Sequence, residues 1–304
     1  MIDVAAAAER LRPYAPPTPL VRALLLSREL GCDLFVKNET VSPVASFKCR
    51  GALNALLRDR PHAAVTSSTG NHGQGVAWAA KTLGIPAHIF LPERPNPTKR
   101  AKIELLGATI HEGGHDLDAA KETAIAFAKD RGFAFIDDGE SEGVIEGAGT
   151  VGHELDLERV DAVYVPMGSG SLASGVAMAV KARYPKARVI AVQSAGSPAM
   201  VESFHARSAV ERPIDSVADG LVCRVPAQLA LELLLQHVDD AVAIPDAEIL
   251  AAARAMILGA HVLVEPSGAA GLAAAMRDDV RGKSVVVIAT GANITPELFG
   301  RLHG

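Results

Sequence analysis

From residue 63 onward, short runs rich in β-branched and apolar residues alternate with longer stretches of helical period. The pattern predicts strands over 64–68, 87–91, 133–136, 162–167 and 188–194, and helices over 72–83, 98–106, 117–129 and 172–184 between them. A final run, 284–290, is apolar almost throughout, and its lack of polar alternation predicts a strand buried on both faces of a parallel sheet. This order predicts an α/β fold of two doubly wound open-sheet units. The expected division is a smaller unit, 63–135, inserted into a larger one made of 1–62 and 136–304. In open sheets of this kind ligands bind beyond the carboxyl ends of the strands, which directs attention to the loops after Ser68, Met167 and Thr290.

Composition narrows the class. A chain of 304 residues, 49% hydrophobic and 21% charged, has the balance of a globular protein long enough to bury its own core, and no apolar run approaches the roughly 18 residues needed to span a bilayer. The net charge of -5, with Lys and Arg scattered, offers no basic stripe for nucleic acid, so a small molecule is the expected partner. Residues 1–12 carry Asp3 and Glu9 and lack a basic start, so no secretory signal is read and a cytoplasmic location is expected. Cys32, Cys49 and Cys223 are odd in number and widely spaced, which argues for reduced thiols.

Three segments could carry chemistry. In Ser46-Phe47-Lys48-Cys49-Arg50-Gly51, Ser46 reads as a helix cap that places Lys48 in the first turn, where the positive end of the helix dipole disfavours an ammonium and favours a reactive amine. Read alone, Lys48 fits a solvated surface lysine better, and only its context changes that reading. Ser67-Ser68-Thr69-Gly70-Asn71-His72-Gly73-Gln74-Gly75 joins a strand to a helix and aims N–H groups and hydroxyls at a spot suited to a carboxylate, or is an ordinary Gly-rich turn. Gly168-Ser169-Gly170-Ser171-Leu172 also joins strand to helix and suits a phosphate. It is not a dinucleotide fingerprint, because Ala173 stands where that pattern needs glycine. His111-Glu112-Gly113-Gly114-His115 spells a zinc-protease motif, but Gly113-Gly114 predicts a turn where that chemistry needs a continuous helix.

Taken together, Ser-Phe-Lys-x-Arg-Gly at Lys48, the Ser-Thr-Gly-Asn-His-Gly-Gln-Gly run, the 168–172 loop and Thr290-Gly291-Ala292-Asn293 resemble the fold type II pyridoxal phosphate enzymes, specifically the serine/threonine dehydratase and serine racemase family. Thr18-Pro19-Leu20, Ala218-Asp219-Gly220 and Glu265-Pro266-Ser267-Gly268-Ala269-Ala270-Gly271 extend the resemblance along nearly the whole chain. The resemblance implies that Lys48 holds pyridoxal 5′-phosphate as a Schiff base and Phe47 packs beside it. It places Asn71 on the ring hydroxyl, Gly168, Ser169, Gly170, Ser171 and Leu172 around the phosphate, Glu265 close by and Thr290 at the pyridine nitrogen. Ser68, Thr69, Gly70 and His72 would line the substrate carboxylate. The implied activity is loss of water and ammonia from a β-hydroxy amino acid such as threonine or serine. Freed Lys48 takes the Cα proton and the cofactor phosphate protonates the departing hydroxyl. The neutral hydroxyl of Thr290 would leave the ring a weaker electron sink, which favours prompt elimination.

Departures from the family sharpen these expectations. Thr69 stands where racemases of the family carry a catalytic serine and many dehydratases alanine, so Thr69 is a second catalytic candidate and racemization the second reading. Gln193 and Ala199 stand where cation-binding members have acids, so no metal is expected there. The chain stops soon after its last predicted helix, so feedback by isoleucine through an added domain is not expected. Members are commonly dimers, which implies a homodimer here. A non-enzymatic bilobal amino-acid-binding protein would share the α/β units but would need no lysine beside a phosphate loop. Cysteine-synthase-like β-replacement fits the fold but not His72.

Overall fold

The structure is a computed structural model that describes residues 2–95 and 97–302. Among the described residues the strands are Leu20–Arg22 (β1), Asp33–Asn38 (β2), Ala64–Ser67 (β3), Ala87–Leu91 (β4), Thr109–Glu112 (β5), Ala134–Phe135 (β6), Ala162–Pro166 (β7), Arg188–Ser194 (β8), Asp240–Ile244 (β9) and Ser284–Ala289 (β10). The helices are Val4–Leu11 (α1), Leu24–Leu30 (α2), Lys48–Asp59 (α3), Asn71–Leu83 (α4), Pro97–Leu105 (α5), Leu117–Arg131 (α6), Glu142–His153 (α7), Ser171–Arg183 (α8), Ala199–Ala206 (α9), Gln228–His237 (α10), Asp246–Ala260 (α11), Pro266–Arg277 (α12) and Pro296–Arg301 (α13). None of them is long and apolar enough to cross a membrane.

Two sheets result, one of six strands in the order β1-β2-β10-β7-β8-β9 and one of four in the order β5-β4-β3-β6. All pairings are parallel except β1, which runs antiparallel to β2 at an edge. The apolar run ending in Ala289 is central in the larger sheet and buried at every position, as a strand covered by helices on both faces should be. Several predicted elements end a residue or two differently. Thr290, Ser68 and Met167 belong to the loops after their strands, and β6 shrinks to the two residues that pair with Ala64 and Val65. Helix α6 runs on to Arg131 because Gly132, at φ +65°, supplies its left-handed stop. The His111-Glu112 pair lies in β5, with His111 stacked on Phe90 at 4.5 Å, and Gly114 turns the chain at φ +87°.

Helix α3 joins the two cores. Phe47, at its start, packs with Val163, Leu172 and Ile288 of the larger sheet's core, while Leu53 and Leu56 pack with Val76, Ile89 and Leu91 of the smaller one. Ser46 is not its cap. Phe47 holds the capping position with no side-chain bond, and Ser46 Oγ makes only a loose 3.4 Å contact to Lys48 N. Ser46 is instead fully buried and bridges Gly291, so tertiary packing overrides its capping preference.

What fixes α3 is Arg50. Its buried guanidinium donates to both oxygens of Glu39 at 2.8 and 3.0 Å, to Glu154 Oε2 at 2.9 Å and to Thr150 Oγ1 at 3.1 Å. Lys37 adds a second buried cation, bonded to Glu154 and to the Thr18 carbonyl. Burial alone would raise the Glu39 carboxyl, but Arg50 and then Lys37 more than offset it and hold that carboxyl below its usual range. Replacing Arg50 leaves the buried Glu39 and the nearly buried Glu154 to share the single cation of Lys37. Arg50→Met should therefore lose about 3–5 kcal/mol of stability in denaturant unfolding, and a loss under about 1 kcal/mol would show that the network does not carry the helix.

Candidate active site

Lys48 is the first residue of α3, and its Nζ lies 4.8 Å from the centroid of the Phe47 ring. The Phe47 N–H donates to the carbonyl of Thr290 at 3.1 Å, which pins the start of α3 to the end of β10. Lys48 Nζ is ion-paired with Asp138, which follows β6 in the smaller sheet. That carboxylate also accepts from Ser169 Oγ at 2.7 Å and Ser171 Oγ at 3.4 Å. Burial would raise Asp138, but the Lys48 ammonium, then His72 and the Ser169 hydroxyl, hold it far below the usual carboxylate range.

The loop that supplies the two serines enters α8, with Gly170 at φ +98°, a left-handed conformation that only glycine adopts without strain. At Gly168 a Cβ would meet the Gly220 carbonyl oxygen at 2.6 Å, so this position too must be glycine for the chains to pass. Phe47, Lys48, Ser169, Leu172, Gly220 and Thr290 are among the residues that line a small cavity beside this loop.

Opposite lies the start of α4. Ser68 Oγ accepts from Gly70 N at 3.2 Å, and Thr69 and Gly70 form the turn that opens the helix at Asn71. Asn71 Nδ2 donates to Glu265 Oε1 at 2.7 Å, while its Oδ1 accepts from Asn293 Nδ2 at 2.7 Å. His72 is buried, and its Nε2 lies 3.0 Å from the Ile136 carbonyl; a carbonyl only accepts, so Nε2 carries the proton. Its Nδ1 makes no hydrogen bond and stands 3.4 Å from Asp138 Oδ1. Glu265 caps α12 and is buried; burial and then the charge of Asp219 push its carboxyl up to about 7, against the donation from Asn71.

The predicted residues thus fall into two groups. Lys48, Phe47, Thr290 and the 168–172 loop share one cavity, while Asn71 and Glu265 are bonded to each other at the start of α4 and His72 approaches Asp138, the carboxylate that Lys48 also contacts. Sequence reasoning passed over Asp138, although it sits at the carboxyl end of a parallel strand, the place that drew attention to the other loops. It also missed Lys99 and Lys102 of α5, which reach across to Asp219 and, at 2.9 Å, to Asn293 Oδ1. Gln193, where a cation ligand was in question, is fully engaged: its Oε1 accepts from Met200 N and Val201 N, and its Nε2 donates to the Leu221 carbonyl at 3.2 Å.

A lysine amine, a glycine and serine cradle at a helix start and a facing asparagine define a class of protein. The sequence profile of the pyridoxal-phosphate dependent enzyme family matches residues 11–291, and the chain belongs to that family. It is 36% identical to the L-threonine ammonia-lyase of Thermotoga maritima over 99% of this chain and 77% of that protein. Among solved structures, the processed form of threonine deaminase isoform 2 from Solanum lycopersicum superposes with a TM-score of 0.92 at 28% identity, covering 99% of this chain and 87% of that one. Maize serine racemase superposes with a TM-score of 0.91 at 31% identity, covering 98% and 94%.

The residues present fit the family's cofactor. The serine hydroxyls of the cradle already hold an anion, the Asp138 carboxylate, and Lys48 Nζ contacts that same carboxylate. The raised carboxyl of Glu265 gives a direct test. Its ordinary value is 4.5 and its folded value about 7, so between those pH values the unfolded chain releases a proton that the fold retains. Stability contributed by the neutral form is whole below about pH 4.5 and is lost as pH rises through 7, by on the order of 3 kcal/mol at most. In cofactor-free protein Glu265→Gln should melt with the wild type near pH 5 and above it at pH 8. A gap that does not change with pH would refute the assignment.

Proposed function

We propose that the chain is an ammonia-lyase that removes water and ammonia from a β-hydroxy amino acid, threonine or serine, with pyridoxal phosphate carried on Lys48. The observation that supports this most is the meeting of Lys48 Nζ with the serine cradle at the start of α8, in a chain of this family that is 36% identical to a threonine ammonia-lyase. In this reading Phe47 packs beside the cofactor, and Gly168, Ser169, Gly170, Ser171 and Leu172 hold its phosphate at the positive end of a helix of 13 residues. Asn71 binds the ring hydroxyl with Glu265 behind it, and Thr290 offers the ring nitrogen a hydroxyl and not a carboxylate.

When bound, the cofactor supplies an aldehyde that takes up amines and a ring that accepts electrons from Cα. The protein supplies position and protons. The N–H groups and hydroxyls of Ser68, Thr69 and Gly70 at the start of α4, with His72, bind the substrate carboxylate. Lys48 Nζ, neutral once the substrate amine has replaced it, takes the Cα proton. The β-hydroxyl then leaves, and the released enamine decays in water to a 2-oxo acid and ammonia.

Racemization is the second reading, supported by the likeness to maize serine racemase and by the hydroxyl of Thr69, which could serve as a base on the other face. We further place the enzyme in the cytoplasm as a homodimer, with 63–135 as the small unit and 1–62 with 136–304 as the large one. The four-stranded sheet lying wholly within 64–135 supports that division, and Leu24, Leu25 and Leu258, exposed on the packed helices α2 and α11, support a dimer face. Light scattering should give twice the chain mass.

Cofactor-loaded protein should form 2-oxo acid and ammonia from L-threonine or L-serine, and Lys48→Ala should lose both the visible absorbance band and turnover. D-serine appearing without oxo acid would move Thr69 to the centre of the mechanism and overturn the lyase reading. Activity should survive dialysis against a chelator, because Gln193 spends its amide on backbone groups.

A further inference from the structure

Asp138 has no task in that reading, yet it gathers more of the site than any residue assigned to it. Its carboxylate contacts Lys48 from α3, Ser169 and Ser171 from the α8 loop, and His72 Nδ1 from α4 at 3.4 Å. Cys223 also faces it, a thiol pushed up to about 12 by burial and then by Asp138, so it stays neutral. The preceding residue behaves quite differently. Asp137 turns to Lys121 at 2.6 Å and accepts from the N–H groups of Gly139 and Glu140, so the inward aim of Asp138 is particular to that side chain.

A counter-ion for Lys48 is the simplest role, but it ends when the enzyme is loaded. Lys48 would then hold the cofactor, and the cofactor phosphate would compete for the Ser169 and Ser171 hydroxyls that now donate to Asp138. A carboxylate that loses a cation and gains an anion as neighbour takes up a proton. Resting on the lyase reading above, we propose that Asp138 is the acid that protonates the departing β-hydroxyl, and that Lys48 resupplies its proton.

The step closes on itself. Lys48 Nζ takes the Cα proton, and the electron pair of that bond forms the Cα–Cβ double bond as the Cβ–O bond breaks. The oxygen leaves as water with the proton from Asp138. The ammonium of Lys48 then returns a proton to the carboxylate across the contact the two groups already make. The protein ends with the protons it began with, and no oxidant or reductant is needed. The leaving-group proton thereby comes from this chain and not from the cofactor phosphate.

Asp138→Asn tests the assignment in the holoenzyme, with L-serine and β-chloro-L-alanine as substrates, because chloride leaves without a proton. Turnover of L-serine should fall by about 10²–10³-fold. Elimination from β-chloro-L-alanine should stay within about threefold, since it needs no such acid. The visible band should persist, and cofactor affinity should hold or tighten because a carboxylate no longer competes for Ser169 and Ser171. Equal losses on both substrates, no loss on either, or weaker cofactor binding would each overturn the proposal. Should the variant not fold, the wild type decides: heavy water should slow L-serine turnover more than β-chloro-L-alanine turnover, and equal effects would overturn it. A wild type that makes no oxo acid from any β-hydroxy amino acid sinks the lyase reading itself, whereas an active wild type with an equally active variant sinks only the role of Asp138.

Discussion

The grip on the first turns of α3 is the constraint on which the site depends. Arg50 is buried with its charge matched by Glu39 and Glu154, and its planar fork accepts partners in few orientations, so the rotation of the helix about its axis is set there. Lys48 lies two residues earlier on the same helix and inherits that rotation. Glycines on both flanks bring the neighbours close: a Cβ at Gly75 of α4 would meet the Lys48 carbonyl oxygen at 2.8 Å, and one at Gly147 of α7 would run into that of Arg50. The ion network adds little net stability compared with an apolar core of the same shape. Its value is geometric, because it holds a long flexible lysine where the two sheets meet.

Two carboxylates then divide the site electrically. Asp138 is ringed by a cation and hydroxyl donors and is driven down, whereas Glu265 is buried with one amide donor and with Asp219 nearby and is driven up to about 7. Two groups of one kind are thus forced apart by their surroundings in the cofactor-free protein. Asp138 meets the serines of the loop before α8, and Glu265 meets Asn71.

Most of this architecture was legible from periodicity because buried parallel strands leave an unmistakable trace: the Val285-Val286-Val287-Ile288 run could hardly be anything but a central strand. The Gly and Ser loops were legible for the related reason that chain reversal at strand ends restricts residue choice. What could not be read was direction. Asp137 and Asp138 are identical in kind and adjacent, and only the structure turns one to Lys121 and the other to Lys48. Ser46 misled because capping is a local preference, and a residue fully buried against Gly291 answers to packing first. Arg50 stood in plain view within its motif, but a guanidinium reads as surface until its partners, 11 and 104 residues away, are placed around it.

The same contrast between buried and exposed contacts bears on how the two sheets are held. They are joined at α3, whose Leu53 and Leu56 pack in the smaller core while buried Arg50 ties the helix to the larger unit, and across from α5 by Lys99 with Asp219 and Lys102 with Asn293. The first kind of contact costs several kcal/mol to break, the second about 1 kcal/mol or less when water can replace it. The tie between the sheets is therefore strong at α3 and weak at α5. Lys102 reaches Asn293, Asn293 reaches Asn71, and Asn71 reaches Glu265, so the contact made by α5 is continuous with a buried carboxyl through one chain of hydrogen bonds. Lys48 lies outside that chain, on the helix that Arg50 holds to the larger unit.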